Sequence, residues 1–213
     1  MKLLIGLSDV YKFQGNYKNA LQLLLEANKL SKFEGQVVDD KVVLVLKMVE
    51  LQVKLFNYSE VGRQLQWLLK RIDNQQSYVR AVVLYNWGVV DLLSNKIDDG
   101  KIKLLRSKEI ISNLFAFKPK QLALIDYAIG VSGLIKNDFE NAQAYFLSAL
   151  DLFRQHKNWA LRFDVLIKAM ETDLAVLKQQ LASKPVMQWS LSDNNNNNSI
   201  SIQSVSNFHA FNG

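Results

Sequence analysis

The sequence contains no cysteine and little histidine, glycine or proline. Its 213 residues include 2 His, 9 Gly and 2 Pro. Without cysteine there are no disulfide bonds, thiolate nucleophiles or thiolate metal sites, and two histidines offer little for metal binding or acid–base catalysis. Because residues that interrupt regular structure are rare, the composition favours long helices. We therefore expect an all-α protein that is not an enzyme and uses no metal or cofactor.

Long hydrophobic runs are also absent. Charged residues recur every few positions, so no window approaches the ~20 apolar residues of a transmembrane helix. The apolar stretch Leu3–Leu7 ends at Ser8 and Asp9, which makes it shorter than the core of a secretory signal. The pattern predicts an intracellular protein, cytoplasmic or nuclear, that does not bind membranes.

One pattern recurs four times along the chain: an apolar helix (helix A), a short polar turn, and a second helix (helix B) with small residues at fixed places. In the first helix B, Ala20, Leu24 and Ala27 share one face, because 3.6 residues make one turn. The residues that follow the four turns are separated by 41, 39 and 42 positions: Tyr17, Tyr58, Ile97 and Phe139. The later counterparts of the helix B set are Val61, Leu65, Leu68; Gly100, Leu104, Ser107; and Ala142, Phe146, Ala149.

These repeats resemble the tetratricopeptide-repeat family over roughly residues 1–156. The residues that carry the resemblance are Leu4, Leu7, Tyr11, Gly15, Tyr17, Ala20, Leu24 and Ala27 in the first copy and Gly130, Phe139, Ala142, Phe146 and Ala149 in the fourth. Family repeats usually have 34 residues. The longer period is similar to variants in kinesin light chains, cohesin-loader subunits and proteasome-lid subunits. The resemblance implies an α-solenoid of antiparallel helix pairs, although another all-α bundle of helical hairpins would have nearly the same pattern.

The expected organisation is one helical-repeat domain over residues 1–189 and a disordered tail over 190–213. The tail is rich in Asn and Ser and includes Asn194–Asn198. No N-cap residue or preceding helix covers Leu3, Leu4 and Leu7 of the first helix A, so we expect exposed apolar surface there, which a longer repeat array or another surface would cover. The predicted repeats span about 1–34, 41–74, 78–114 and 119–156, followed by a capping helix over 159–182.

The resemblance also implies where a partner would bind, since helix A faces the concave groove in this family. Contacts would come from helix A residues that do not pack against helix B. For Tyr85 and Tyr127, burial in the hydrophobic core is an equally favoured interpretation. Trp67, on the outer side of helix B, is a further candidate contact. The expected groove residues are Ile5, Asp9, Lys12, Phe13, Leu46, Glu50, Lys54, Tyr85, Val89, Leu92, Tyr127, Val131 and Leu134.

Two specialised ligands are disfavoured. The basic residues between Lys101 and Lys120 spread around a helix and lack interleaved aromatics, so nucleic acid is not the expected ligand despite the net charge of +6. The carboxylate clamp of chaperone-binding members is broken, because Asp9 would repel a terminal carboxylate. The matching positions hold Ile5 and Asp9, then Lys47, then Val82 and Asn86.

The function expected from these patterns is a non-catalytic scaffold that binds another protein or peptide segment within a larger assembly, with no small-molecule substrate. The alternative is a regulatory module whose groove closes on a short signalling peptide.

Overall fold

The computed structural model describes residues 1–30, 38–72, 77–114, 118–155 and 164–183. Within these ranges the chain forms nine α-helices and no strand. Among the first six helices, and among the last three, each helix packs against the next one in the chain, which confirms the expected all-α solenoid of helix pairs. The helices are α1 (Lys2–Phe13), α2 (Tyr17–Leu30), α3 (Val38–Lys54), α4 (Tyr58–Leu69), α5 (Tyr78–Leu93), α6 (Ile97–Ser112), α7 (Pro119–Ile135), α8 (Phe139–Gln155) and α9 (Asp164–Ser183).

The chain divides into two compact units, with the boundary between Phe117 and Lys118. The first unit holds α1–α6 and the second holds α7–α9. The single domain over 1–189 therefore stays a prediction. The predicted tail over 190–213 lies outside the described residues.

Every helix A ends in the same turn. The residue that opens each turn has a positive φ, between 58° and 74°: Gly15, Phe56, Asn95 and Asn137. In the first turn the Asn16 amide donates to the Tyr11 carbonyl at 2.9 Å, and the corresponding bond of the fourth turn measures 2.8 Å. This is the Schellman arrangement, which satisfies carbonyls that the helix end leaves free.

Each helix B then begins at the residue predicted from the sequence. α2, α4, α6 and α8 start at Tyr17, Tyr58, Ile97 and Phe139. The left-handed conformation is easy for Gly and tolerable for Asn, but it costs other residues about 1–2 kcal/mol. Phe56 adopts this strained conformation in the second turn, where its φ is 58°.

The small residues of helix B lie at the contact with helix A, as expected. All the side chains of the predicted helix B sets are buried. At the contact the Ser8 hydroxyl donates to the Ala20 carbonyl at 2.9 Å, and the Ser107 hydroxyl donates to the Ala81 carbonyl at 2.7 Å. The hairpins are therefore held by close backbone approach as well as by apolar packing.

The first helix A corrects one detail of the expected packing. Of the leucines expected to be uncovered there, Leu3 and Leu7 are 85% and 44% exposed, but Leu4 is partly buried against the core. Ser8, and not Leu7, is buried at the contact with helix B. The reason is that helix B comes so close that only a small side chain fits between the two backbones.

Helix α9 packs on α8 through an apolar stripe that includes Leu166, Met170 and Leu177. Its residue range overlaps most of the capping helix predicted over 159–182. Asp173 lies partly buried on α9, and its Oδ2 has no hydrogen-bond partner in the described part of the chain. Burial raises the pKa of Asp173 to about 6.

This carboxyl makes stability depend on pH. The folded chain binds the Asp173 proton more tightly than the unfolded chain, in which the pKa is near 3.9. Stability therefore falls as pH rises from about 4 to about 6. We expect Asp173→Asn to raise the melting temperature at pH 7 and to leave it unchanged at pH 4. Glu140→Gln, at an exposed carboxylate of α8, is the control and should retain the wild-type slope. Equal slopes for wild type and Asp173→Asn would contradict this assignment.

Candidate functional site

Four charged side chains of the first unit meet where two consecutive A helices run side by side. Asp9 and Lys12 lie one turn apart on α1, and Lys47 and Glu50 lie one turn apart on α3. The Lys47 Nζ is 2.8 and 3.0 Å from the two carboxylate oxygens of Asp9. The Lys12 Nζ is 3.3 Å from both carboxylate oxygens of Glu50. We call these four residues the charge ladder.

The charge ladder is partly exposed. Its side chains have between 11% and 38% of their surface accessible. Ion pairs with such access contribute about 0–1 kcal/mol each, because water and salt screen them. Their order is negative then positive on α1 and positive then negative on α3. Such an alternating surface favours specificity more than stability, because a partner must match each sign.

Several predicted groove residues of the first two copies belong to this face. Asp9, Lys12 and Glu50 are members of the charge ladder. Ile5 lies one turn before Asp9 and packs partly against the core. Phe13 is 88% exposed.

The helix A face of the first two copies includes two more of the predicted groove residues and two residues that the sequence analysis did not predict. Leu46 is buried, and Lys54 is partly buried. Lys47 was absent from the predicted groove set, as was Val43, which is 51% exposed one turn before it. The spacing of Val43, Lys47 and Glu50 along one helix face was the sequence signal for both.

The apolar groove residues predicted for the third and fourth copies are buried or partly buried. Tyr85 is 1% exposed and Tyr127 is 0% exposed. The Tyr127 ring centroid is 5.5 Å from that of Phe146. A partner would contact these tyrosines only after the surrounding helices moved, so their groove role stays a prediction. Val89, Leu92 and Val131 are also buried, and Leu134 is partly buried.

The positions of the chaperone clamp are already engaged within the chain. Lys47 binds Asp9, and the buried Asn86 side chain donates to the Val82 carbonyl at 2.8 Å. A terminal carboxylate would therefore have to displace internal contacts at both places. This geometry agrees with the interpretation that the clamp is broken.

A cavity of about 400 Å³ lies among α2, α3 and α4, and Trp67 is part of its wall. Trp67 is 38% exposed, with the Arg71 guanidinium carbon 3.9 Å from its ring centroid and the Lys41 Nζ 5.8 Å from it. These are cation–π distances. Burial lowers the pKa of Lys41. The lining residues are Leu25, Asn28, Lys41, Val45, Met48, Glu60, Arg63, Gln64 and Trp67.

The cavity and the charge ladder use opposite faces of α3. At about 100° per residue, Val45 and Lys41 point away from Lys47 and Glu50. The first unit therefore presents two distinct candidate surfaces. Trp67 remains a candidate partner contact on the second.

The described part of the chain contains no group of three or more side chains that could hold a metal ion. Among the same residues, no helix combines the length and hydrophobicity needed to cross a bilayer.

Comparison with known proteins agrees with this geometry. A family model described as tetratricopeptide repeat matches residues 2–33, the α1–α2 hairpin. The fold is of the tetratricopeptide-repeat type. The structure of BtubC (BKLC) from P. vanneervenii is similar, with a TM-score of 0.61 and 16% sequence identity over 92% of this chain and 87% of that one. The MamA RS-1 ArsTM double mutant is also similar, with a TM-score of 0.54 and 17% identity over 86% and 97% of the two chains. No curated protein sequence matches this chain.

The tetratricopeptide-type fold explains why the ladder forms. Equivalent A helices stack next to each other in such folds, so charged residues on the same face of successive A helices come within reach of each other. Asp9 and Glu50 lie at equivalent positions of the first and second copies, since the two turns are 41 residues apart. Each of them pairs with a lysine of the other helix, Asp9 with Lys47 and Glu50 with Lys12.

Proposed function

We propose that this protein is a non-catalytic scaffold that binds a segment of a partner protein along its helix A face, in the concave groove, as part of a larger assembly. The charge ladder is the observation that carries the proposal. Four charged side chains from two helices converge there, although partly exposed ion pairs add little to stability. The tetratricopeptide-type fold supports a general role in protein–protein interaction.

The partner segment should complement the ladder. Lys12 and Asp9 present opposite signs one turn apart, so an extended segment that carries both an acidic and a basic residue would pair with both. Val43 and Phe13 add exposed apolar surface beside the charges. Affinity would come from these apolar contacts, and the charges would select among partners.

An exchange of charge tests the proposal. The double change Lys12→Glu with Glu50→Lys keeps an ion pair but reverses the signs that a partner meets. We expect unfolding free energy to change by less than about 1 kcal/mol and recovery of the partner on the tagged full chain to fall about tenfold, the effect of ~1.4 kcal/mol. Quantitative mass spectrometry of the purified complex measures the ratio of partner to scaffold.

The matched control is the exchange Arg106→Glu with Glu109→Arg. This ion pair lies on the exposed surface of α6, away from the ladder in the sequence and on a different helix. Partner recovery should not change. Equal recovery with both exchanges would contradict a role for the ladder, and a chain that is folded and monomeric without any stoichiometric partner would contradict the scaffold itself.

A further inference from the structure

The cavity among α2, α3 and α4 has a lining that is partly apolar and partly charged. Its apolar part consists of Leu25 and Trp67, which are 39% and 38% exposed, and of the buried Val45 and Met48. The volume of about 400 Å³ lies within the range of ~300–1,000 Å³ that is usual for binding pockets. The cavity can therefore accept an apolar side chain beside two residues that solvent already reaches.

Trp67 is held in place by its neighbours. The Arg71 guanidinium carbon is 3.9 Å from the centroid of the Trp67 ring, and the same guanidinium donates to the Trp67 carbonyl at 3.4 Å. The Lys41 Nζ on α3 lies 5.8 Å from the ring centroid. A side chain that is already ordered loses little conformational entropy when a ligand arrives, and ordered tryptophans are typical of binding hot spots.

The charges of the cavity wall favour an anionic ligand. Glu60, the one acidic residue among the described lining residues, is engaged through both carboxylate oxygens. The Gln64 Nε2 donates to its Oε1 at 3.0 Å, and the Arg63 guanidinium is 2.5 Å from its Oε2. Lys41 donates to the amide oxygen of Asn28, which is a neutral acceptor. Because burial lowers the pKa of Lys41, a carboxylate in the cavity would offset the cost of its desolvation.

The surface around the cavity is basic as well. The helices α2 and α4, with the two residues that follow α4, contain five basic and two acidic residues. The charge ladder on the opposite face of α3 instead balances two positive and two negative charges. Long-range attraction would therefore bring an acidic ligand to the cavity rather than to the ladder. The basic residues are Lys18, Lys29, Arg63, Lys70 and Arg71, and the acidic ones are Glu26 and Glu60.

A segment of a protein chain suits this cavity better than a compact molecule does. The Arg63 side chain is 75% exposed, so solvent reaches the cavity wall on α4, whereas a small ligand usually has ~70–90% of its surface buried in its pocket. A peptide continues beyond the cavity and gains contacts outside it. Residues 190–213 of this chain lack the complementary charge, since Asp193 is their only acidic residue.

We propose that this cavity is a docking site for an acidic segment of a partner protein, in which an apolar side chain enters beside Trp67 and a neighbouring Asp or Glu pairs with Lys41. The contact is independent of the proposed groove contact, because the cavity and the charge ladder lie on opposite faces of α3. It gives the scaffold a second attachment point that selects for acidic sequence.

A fluorescently labelled peptide with one Leu flanked on both sides by Glu is the probe, and fluorescence anisotropy measures its binding to the full chain. Two comparison peptides carry Lys in place of Glu, or Ser in place of Leu. We expect the probe to bind several-fold more tightly than either of them, and its affinity to fall as the salt concentration rises. Absence of saturable binding, or equal affinities of the probe and the Ser peptide, would overturn the proposal.

Two substitutions in the cavity wall locate the site. Lys41→Glu and Trp67→Ala should each weaken binding of the probe about tenfold. The matched controls are Lys96→Glu, at an exposed lysine before α6, and Ile102→Ala, at a side chain of α6 that is 65% exposed. The controls should not change the affinity, and circular dichroism should show that all four chains are folded. Equal losses in the cavity and control variants would contradict a specific site.

The charge exchange at Lys12 and Glu50 separates this proposal from the groove. It should leave binding of the probe unchanged, and a loss there equal to that of Lys41→Glu would place the peptide in the groove and overturn the cavity site. A single-stranded oligonucleotide that displaces the probe more effectively than unlabelled peptide would identify nucleic acid as the occupant instead. A dimer that Trp67→Ala converts to monomer in sedimentation would identify a second copy. Either of these two results would also overturn the proposal.

Discussion

Replacement of Phe146 by Ala should lower the unfolding free energy by about 3–5 kcal/mol, as expected for a large buried aromatic. Phe146 is 0% exposed on α8 and fills the space beside Tyr127. Its ring lies against the backbone of α7, since a Cβ added at Gly130 would be 2.5 Å from the Phe146 Cε1. Truncation would leave a cavity between two helices that cannot close completely. Urea denaturation followed by circular dichroism measures the loss.

The neighbouring Leu147 provides the control. It is 48% exposed on the same helix, so Leu147→Ala should have a much smaller effect. Comparable losses at the two positions would mean that α8 packs with another face toward α7.

A double-mutant cycle sharpens this prediction. Gly130→Ala alone should destabilise the chain, because the new methyl group meets the Phe146 ring. In the Phe146→Ala background the methyl group finds space, and Ala is the better helix residue by about 0.5–1 kcal/mol. The effect of Gly130→Ala should therefore change sign. Additive effects would contradict the contact.

Replacement of Gly100 by Ala should destabilise the first unit by about 1–3 kcal/mol, the usual cost of overpacking. A Cβ at Gly100 would lie 2.8 Å from the Gly88 carbonyl oxygen and 2.9 Å from the Leu92 Cδ2. The first of these atoms belongs to the backbone of α5, so α5 and α6 must separate to relieve the clash. The same measurement of denaturation applies.

Gly62 on α4 is the matched control, since a Cβ there meets nothing within 4 Å. Gly62→Ala should raise stability by about 0.5–1 kcal/mol through helix propensity alone. Opposite signs for one chemical change at Gly100 and Gly62 are the expected result. Stabilisation at both positions would show that α5 and α6 are farther apart than described.

The repeat register was predictable from the sequence because it depends on local rules. Small residues at spacings of seven in helix B, such as Ala20 and Ala27, require close helix contact wherever they occur. Large residues after a polar turn, such as Phe139, mark the start of helix B. Ala20 and Ala27 are buried, and helix α8 begins at Phe139, as predicted. The fold class followed from the same pattern.

The candidate site was only partly predictable. That Asp9 and Glu50 share a face could be read from their equivalent repeat positions, but the pairing of Asp9 with Lys47 depends on the offset between α1 and α3. Nor does helical periodicity distinguish a tyrosine that lines a groove from one that fills a core. Tyr85 and Tyr127 are buried because neighbouring helices cover them.

The helices, the positions of their turns and the helix B residues at each contact with helix A could be read from the sequence, because they follow from a short-range period and from side-chain size. Which charges pair and which apolar faces are covered depends on how the hairpins pack against each other. Leu44 and Leu3 occupy equivalent positions, yet one is 1% and the other 85% exposed. Helical periodicity places both leucines on the same face of their helices, but only the packing of another helix against that face determines whether it is buried.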